Sequence, residues 1–360
     1  WVALLLSWNR MGTSRVVLAM TEHLHTSTQI QLVQRPQGVP TEHDFRIQRV
    51  ELSPLNEGEV RVRNEFISVD PYMRGRMNDS KSYIPPFALG ETMTGSAVGR
   101  VIESRAEGFS EGDLVRLFMG WRDIAQGSAE EFTAVPELGD KPVSAYLGVL
   151  GLTGMTAFAG LTKVAQMKEG DTVFVSGAAG AVGSIAGQIA RHRGARAVIG
   201  SAGSAEKTAL LTERYGFTHA INYKEAPILE QLAEVAPEGV DVYFDNVGGD
   251  HLEAALAHLN RYGRAALCGA ISVYNAEDPL SLQGPRFMTN IVTRSLTLQG
   301  FVLQDYLQYA DEFRAEVAPL VMDGTIKDDE TVVEGLDQAI EAFLGLFEGK
   351  NTGKMVVRLR

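Results

Sequence analysis

Apolar and polar positions along the chain follow two periods, and the change falls near residue 150. Before it, short alternating runs at 59–63, 95–103 and 113–117 are separated by turn signals such as Asn56-Glu57-Gly58 and Glu111-Gly112-Asp113. That pattern predicts an irregular, mostly antiparallel β domain. After it, apolar runs at 196–200, 219–223, 240–244 and 264–268 alternate with helical patterns at 205–215, 227–235 and 250–259. Alternation predicts a doubly wound parallel sheet, because parallel strands need crossovers. Near the end, Leu336, Ile340, Phe343, Leu344 and Phe347 mark an amphipathic helix. A glycine turn at 349–353 and a strand at 355–359 follow, and this end is expected to return to the first domain.

The sharpest signal opens the second half. A strand at 173–176 runs into Gly177, Gly180 and Gly183, then into a helix whose apolar face is Val182, Ile185, Ala186, Ile189 and Ala190. Side chains at those glycines would block the turn and hold a pyrophosphate away from the backbone. The free N–H groups and positive dipole end of the helix then stabilise the anion. Strand, turn and helix together predict a dinucleotide site.

Composition narrows the partners. The 360 residues suffice for two cores, and 45% hydrophobic with 22% charged content is ordinary for a soluble protein. A net charge of −12 argues against binding a nucleic-acid backbone. No apolar run approaches the roughly 18 residues that span a bilayer. Cys268 is the single cysteine, which excludes a disulfide framework. A cytoplasmic location is expected. The apolar patch at 1–6 lacks a basic region before it, which argues against a secretory signal. Met11 and Met20 each offer a start, so residues 1 to about 27 are expected to form a leader that is disordered or absent in the native protein.

Three stretches carry candidate chemistry. At the tip of the second parallel strand, Ile199-Gly200-Ser201-Ala202-Gly203-Ser204 holds no acid to bond an adenosine ribose. Small residues leave room for a 2′-phosphate, which Lys207 and the hydroxyls can bind. Lys207 reads equally well as a solvated lysine at a helix start. NADPH is favoured over NADH. The seven histidines (His23, His25, His43, His192, His219, His251 and His258) form no metal-ligand spacing, so no zinc site is expected. Tyr274 follows the fifth parallel strand at the ligand-binding edge, where a protonated phenol can donate to a developing enolate; a turn or core tyrosine is the alternative. Asp70-Pro71-Tyr72-Met73-Arg74 is a dense polar-aromatic cluster, which also reads as a turn that buries Tyr72. Cys268 reads most simply as a small core residue.

Six ordered motifs carry a resemblance. They are the run 68–77 (Ser-Val-Asp-Pro-Tyr-Met-Arg-Gly-Arg-Met), the glycine fingerprint, and 202–207 (Ala-Gly-Ser-Ala-Glu-Lys). The others are 243–249 (Tyr-Phe-Asp-Asn-Val-Gly-Gly), 268–275 with 299–301, and 349–354 (Gly-Lys-Asn-Thr-Gly-Lys). From about residue 30 to the end the chain resembles the zinc-free medium-chain dehydrogenase/reductases, in the prostaglandin, alkenal and curcumin reductase branch. The resemblance implies an α/β protein with a GroES-like partial β-barrel at 28–150, completed by about 328–360. It implies a Rossmann domain at 151–327, NADPH in the cleft, and α,β-unsaturated aldehydes or ketones as substrates. It places Gly177, Ala179, Gly180, Val182, Gly183, Gly203, Ser204, Lys207, Tyr223, Asn246, Cys268, Phe301 and Asn351 around the cofactor. Tyr72, Arg74 and Tyr274 would line the substrate pocket, whose shape comes from loops near Tyr72, Trp121 and Phe287. A homodimer is also implied. An NADPH quinone reductase on the same scaffold and a non-catalytic NADPH-binding protein are the rival readings.

Overall fold

The computed structural model describes residues 25–359, so the leader expected at the N-terminus lies almost wholly outside the described residues. Strand β1 (Thr26–Leu32) already begins inside that stretch. Ser27 is fully buried and its Oγ donates to Ile124 O at 2.6 Å.

β1 pairs antiparallel with β2 (Phe45–Glu51). The larger sheet of this half uses β3 (Glu59–Ser68), helix α1 (Met73–Arg76) beside it, β4 (Ala97–Ser104), β5 (Leu114–Leu117), β6 (Ile124–Ser128) and β7 (Phe132–Ala134). Register shifts in the β3–β4 ladder at 61/62 and 64/66 bend this sheet toward closure. Helix α2 (Leu152–Ala159) then runs through a π-helical turn, Gly160–Val164, into the second half.

There β8 (Thr172–Val175), α3 (Ala181–His192), β9 (Ala197–Ala202), α4 (Ala205–Glu213), β10 (His219–Asn222) and α5 (Ile228–Val235) alternate. β11 (Val240–Asp245), α6 (Gly249–His258), β12 (Leu259–Leu267), α7 (Thr289–Thr293) and β13 (Thr297–Gly300) complete the sheet. All six strands are parallel, in the order β10-β9-β8-β11-β12-β13. The order reverses between β8 and β11, which is where doubly wound sheets open a crevice for ligands. Ile185, Ala186, Ile189 and Ala190 of α3 are buried against one face, while α5 and α6 cover the other.

Helix α8 (Ala310–Met322) leads back to the first half. β14 (Glu330–Glu334), α9 (Ala339–Phe347) and β15 (Lys354–Arg358) follow, and β15 pairs antiparallel with β3. Phe343 of α9 sits in the barrel core against Phe45 and Trp121. Trp121 is fully buried and stacks on Phe45 at 6.4 Å. Cys268, expected inside a strand, lies one residue beyond β12, its N–H donating to Asp245 O at 2.9 Å.

Candidate active site

The turn after β8 divides the work among its glycines. Gly177 has φ +59°, a left-handed conformation that a side chain would strain. A Cβ on Gly183 would lie 2.4 Å from Gly177 O, so only hydrogen lets α3 pack so close. At Gly180 the nearest such contact is 3.2 Å, which leaves space above the helix N-terminus. The other wall of that space comes from the barrel half: Gly353 N donates to Ala179 O at 2.8 Å, and Asn351 Nδ2 holds Gly353 O at 2.9 Å.

Across the switch point, Asp245 ends β11 and is 2% exposed. Its Oδ1 accepts from Tyr243 Oη (2.7 Å), Gly248 N (2.8 Å), Val247 N (2.9 Å) and Ser176 Oγ (3.1 Å). Burial raises its pKa, and these four donors oppose the rise. The carboxylate thus fixes the turn that presents Asn246, whose Nδ2 donates to Ser176 O at 2.8 Å.

The end of the crevice at Lys207 and Lys224 is cationic. Lys207 Nζ donates to Gly349 O at 2.6 Å, and Ser204 Oγ caps α4 by accepting Lys207 N at 3.3 Å. Burial first, and then the neighbouring Lys224, push the Lys207 pKa down. Tyr223 lies against Gly203, where a Cβ would meet its Oη at 2.7 Å. Two lysines that repel each other beside hydroxyls make a corner suited to a phosphate monoester.

At the opposite end, Tyr274 Oη accepts from Ala270 N at 3.2 Å. Burial raises this phenol, so it stays protonated and its own O–H is left to donate. Burial also pushes the Cys268 thiol up to about 12, which makes it inert as a nucleophile. Phe301 meets Phe244 edge-on at 6.3 Å above Gly160, where any side chain would collide with both rings.

The facing wall comes from the barrel. Lys354, 4% exposed, donates to Val69 O at 3.0 Å and pairs with Asp70 Oδ1 at 3.2 Å, anchoring the turn before α1. Tyr72 follows that turn, and its hydroxyl is buried with no hydrogen-bond partner among the described residues. Arg74, expected in the substrate pocket, is engaged within the fold. It is 2% exposed and spends its guanidinium on Asn78 Oδ1 (2.6 Å), Gly38 O (2.8 Å) and Asn275 Oδ1 (3.0 Å). It braces the neighbour of Tyr274 across the cleft.

Tyr83 is the residue that sequence reasoning missed. Although 54% exposed overall, its phenol is raised by burial first and then by nearby Tyr274 and Cys268. The same phenol acts on Tyr72, so three tyrosines from both halves share one cleft. Nothing in the run around Tyr83 marked it, because it lies in a loop without periodicity. Phe287 is 37% exposed at φ +63° on the loop beyond Tyr274.

Comparison with known proteins agrees with this geometry. Residues 28–135 match the family described as the N-terminal domain of oxidoreductase, and residues 181–321 the family described as zinc-binding dehydrogenase. Among the described residues, no group of three or more His, Cys, Asp or Glu is placed to hold a metal ion. The NADPH-dependent curcumin reductase of Escherichia coli is 40% identical, over 91% of this chain and 95% of its own. The NADP-dependent 2-alkenal reductase of Nicotiana tabacum is 41% identical, over 89% and 94%. The crystal structure of CurA in complex with NADPH from Vibrio vulnificus superposes with a TM-score of 0.87 at 40% identity, covering 92% of this chain and 99% of that one.

Proposed function

This chain belongs to the curcumin, alkenal and prostaglandin reductase branch of the medium-chain dehydrogenase/reductases, and on that premise we propose that it reduces the C=C bond of α,β-unsaturated aldehydes and ketones. It is an NADP-dependent oxidoreductase. NADPH, when bound, supplies the hydride for the substrate's β-carbon.

Gly177, Ala179, Gly180, Val182 and Gly183 hold its pyrophosphate at the α3 N-terminus. Gly203, Ser204, Lys207 and Tyr223 take the 2′-phosphate. Asn246, Cys268, Phe301 and Asn351 line the nicotinamide half. The substrate lies between Tyr274 on one side and Tyr72 and Tyr83 on the other. Tyr274 donates to the carbonyl oxygen as negative charge grows there. Tyr72, Tyr83, Tyr274 and Cys268 all hold their protons above ordinary pKa values, so none is a good acid for the α-carbon. Water supplies that proton.

One observation carries the reading: Ala270 N occupies the Tyr274 oxygen as acceptor, which leaves the phenol O–H as a donor into the cleft. The test is NADPH oxidation with 2-alkenals, an enone such as curcumin, a quinone and a saturated aldehyde, with NADH run alongside. Turnover of enals and enones with NADPH is expected. Turnover of the quinone alone would make the protein a quinone reductase, and silence across the panel would make it a binding protein.

The proposal includes a homodimer. β13 is the outer strand of the parallel sheet, and α7 beside it exposes Val292 at 80%. An edge strand beside an exposed apolar side chain is a surface for a second copy.

A further inference from the structure

His251 belongs to no catalytic motif, yet its surroundings are unusual. It lies in the first turn of α6 and is 5% exposed. Its Nε2 is buried and has no hydrogen-bond partner among the described residues. Burial drives its pKa down to about 4, so the imidazole is neutral at physiological pH. A buried, unpaired nitrogen costs stability that a methionine or leucine of similar size would not.

The imidazole packs against one ring. His251 meets Tyr223 with centroids 5.2 Å apart and planes inclined by 76°, the edge-to-face arrangement favoured by aromatic quadrupoles. Tyr223 itself is 40% exposed, and its hydroxyl end rests on Gly203. The phenol is thus pinned between α6 and the loop after β9, within the corner formed by Ser204, Lys207 and Lys224. Without that support an exposed tyrosine samples several rotamers, and binding must then order it.

We propose that His251 is a positioning residue that sets selectivity for 2′-phosphorylated over unphosphorylated adenine nucleotides, by holding Tyr223 with its hydroxyl toward the phosphate. Donation of an Nε2 proton to the π face of Tyr223 would account for the missing hydrogen-bond partner. The inference rests on the proposed NADPH site and adds a residue to its adenosine end.

The test measures binding of 2′,5′-ADP and 5′-AMP to the full-length protein by calorimetry, so no turnover is involved. Wild type should prefer 2′,5′-ADP. His251→Met should reduce that preference by roughly tenfold, with 5′-AMP affinity nearly unchanged. Tyr223→Phe should cause a similar loss, and the double variant should lose no more than Tyr223→Phe, since the histidine acts through the phenol. Where His251→Met no longer binds 5′-AMP, His251→Phe decides, because it fills the same space without the ring nitrogen and should also lower the preference. A wild-type preference with an unchanged ratio in the variants would overturn the role of His251 alone. An equal loss of both ligands would do the same by marking a purely structural residue. A wild type indifferent to the 2′-phosphate would overturn the NADPH reading together with this one.

Discussion

At the scale of single residues, the site depends on which atoms remain free after the protein has used the others. Tyr274 is engaged through its oxygen lone pair by Ala270 N, so its proton is available to a substrate oxygen. Replacement by phenylalanine removes the donor and little else. Tyr274→Phe should lower kcat by about 10²–10³, the usual cost of one oxyanion donor, and leave NADPH affinity unchanged. Turnover on a 2-alkenal and quenching of protein fluorescence by NADPH measure the two effects separately, and wild-type turnover would reject the role. Tyr274 was legible in the sequence because it follows a parallel strand at the carboxyl edge. Arg74 was legible only as part of a motif, and its burial and its bond to Asn275 came from the fold. Tyr83 and His251 were not legible. One lies in an aperiodic loop, and the other looks like any histidine at a helix start until its neighbour Tyr223, 28 positions away, is placed beside it.

At the scale of elements, the parallel half was readable because its periods are long and repeated. The α3 face at Ile185, Ala186, Ile189 and Ala190 is buried as its spacing requires. The bounds were less readable: β12 begins at Leu259 and ends at Leu267, with the Cys268 N–H making the last ladder bond to Asp245 O of β11. The glycine turn shows what sequence spacing leaves open, since three identical residues do three jobs. Gly183→Ala drives a methyl to 2.4 Å from Gly177 O, where only backbone can yield. It should cost about 1–3 kcal/mol in urea denaturation. Gly180→Ala meets only Gly177 O, at 3.2 Å, and should fold nearly as well while losing dinucleotide affinity. Should Gly180→Ala bind NADPH like wild type, the turn would not be the pyrophosphate cradle.

For the whole molecule, the two halves are tied at both ends of the cleft. Arg74 reaches Asn275, Gly353 N reaches Ala179 O, and Lys207 reaches Gly349. The chain's return to the barrel through β15 makes these ties possible, and it places Asn351 over the glycine turn. Among the described residues the six-stranded sheet ends in two edge strands, β10 and β13, and β13 is the one that leads into the cleft at Phe301. Phe301 N donates back to Leu267 O, so alternate N–H groups of β13 face inward and the others point away from β12. Outward N–H and C=O groups beside the exposed Val292 can pair with the same strand of a second copy about a twofold axis, extending the sheet across the interface. Sedimentation velocity should therefore show a dimer. Val292→Lys places a charge against its own symmetry mate and should weaken the dimer by roughly tenfold or more. A monomeric wild type, or a Val292→Lys dimer as tight as the parent, would exclude this edge. Because β13 leads directly to Phe301, disrupting the interface should also raise the KM for NADPH before it lowers kcat.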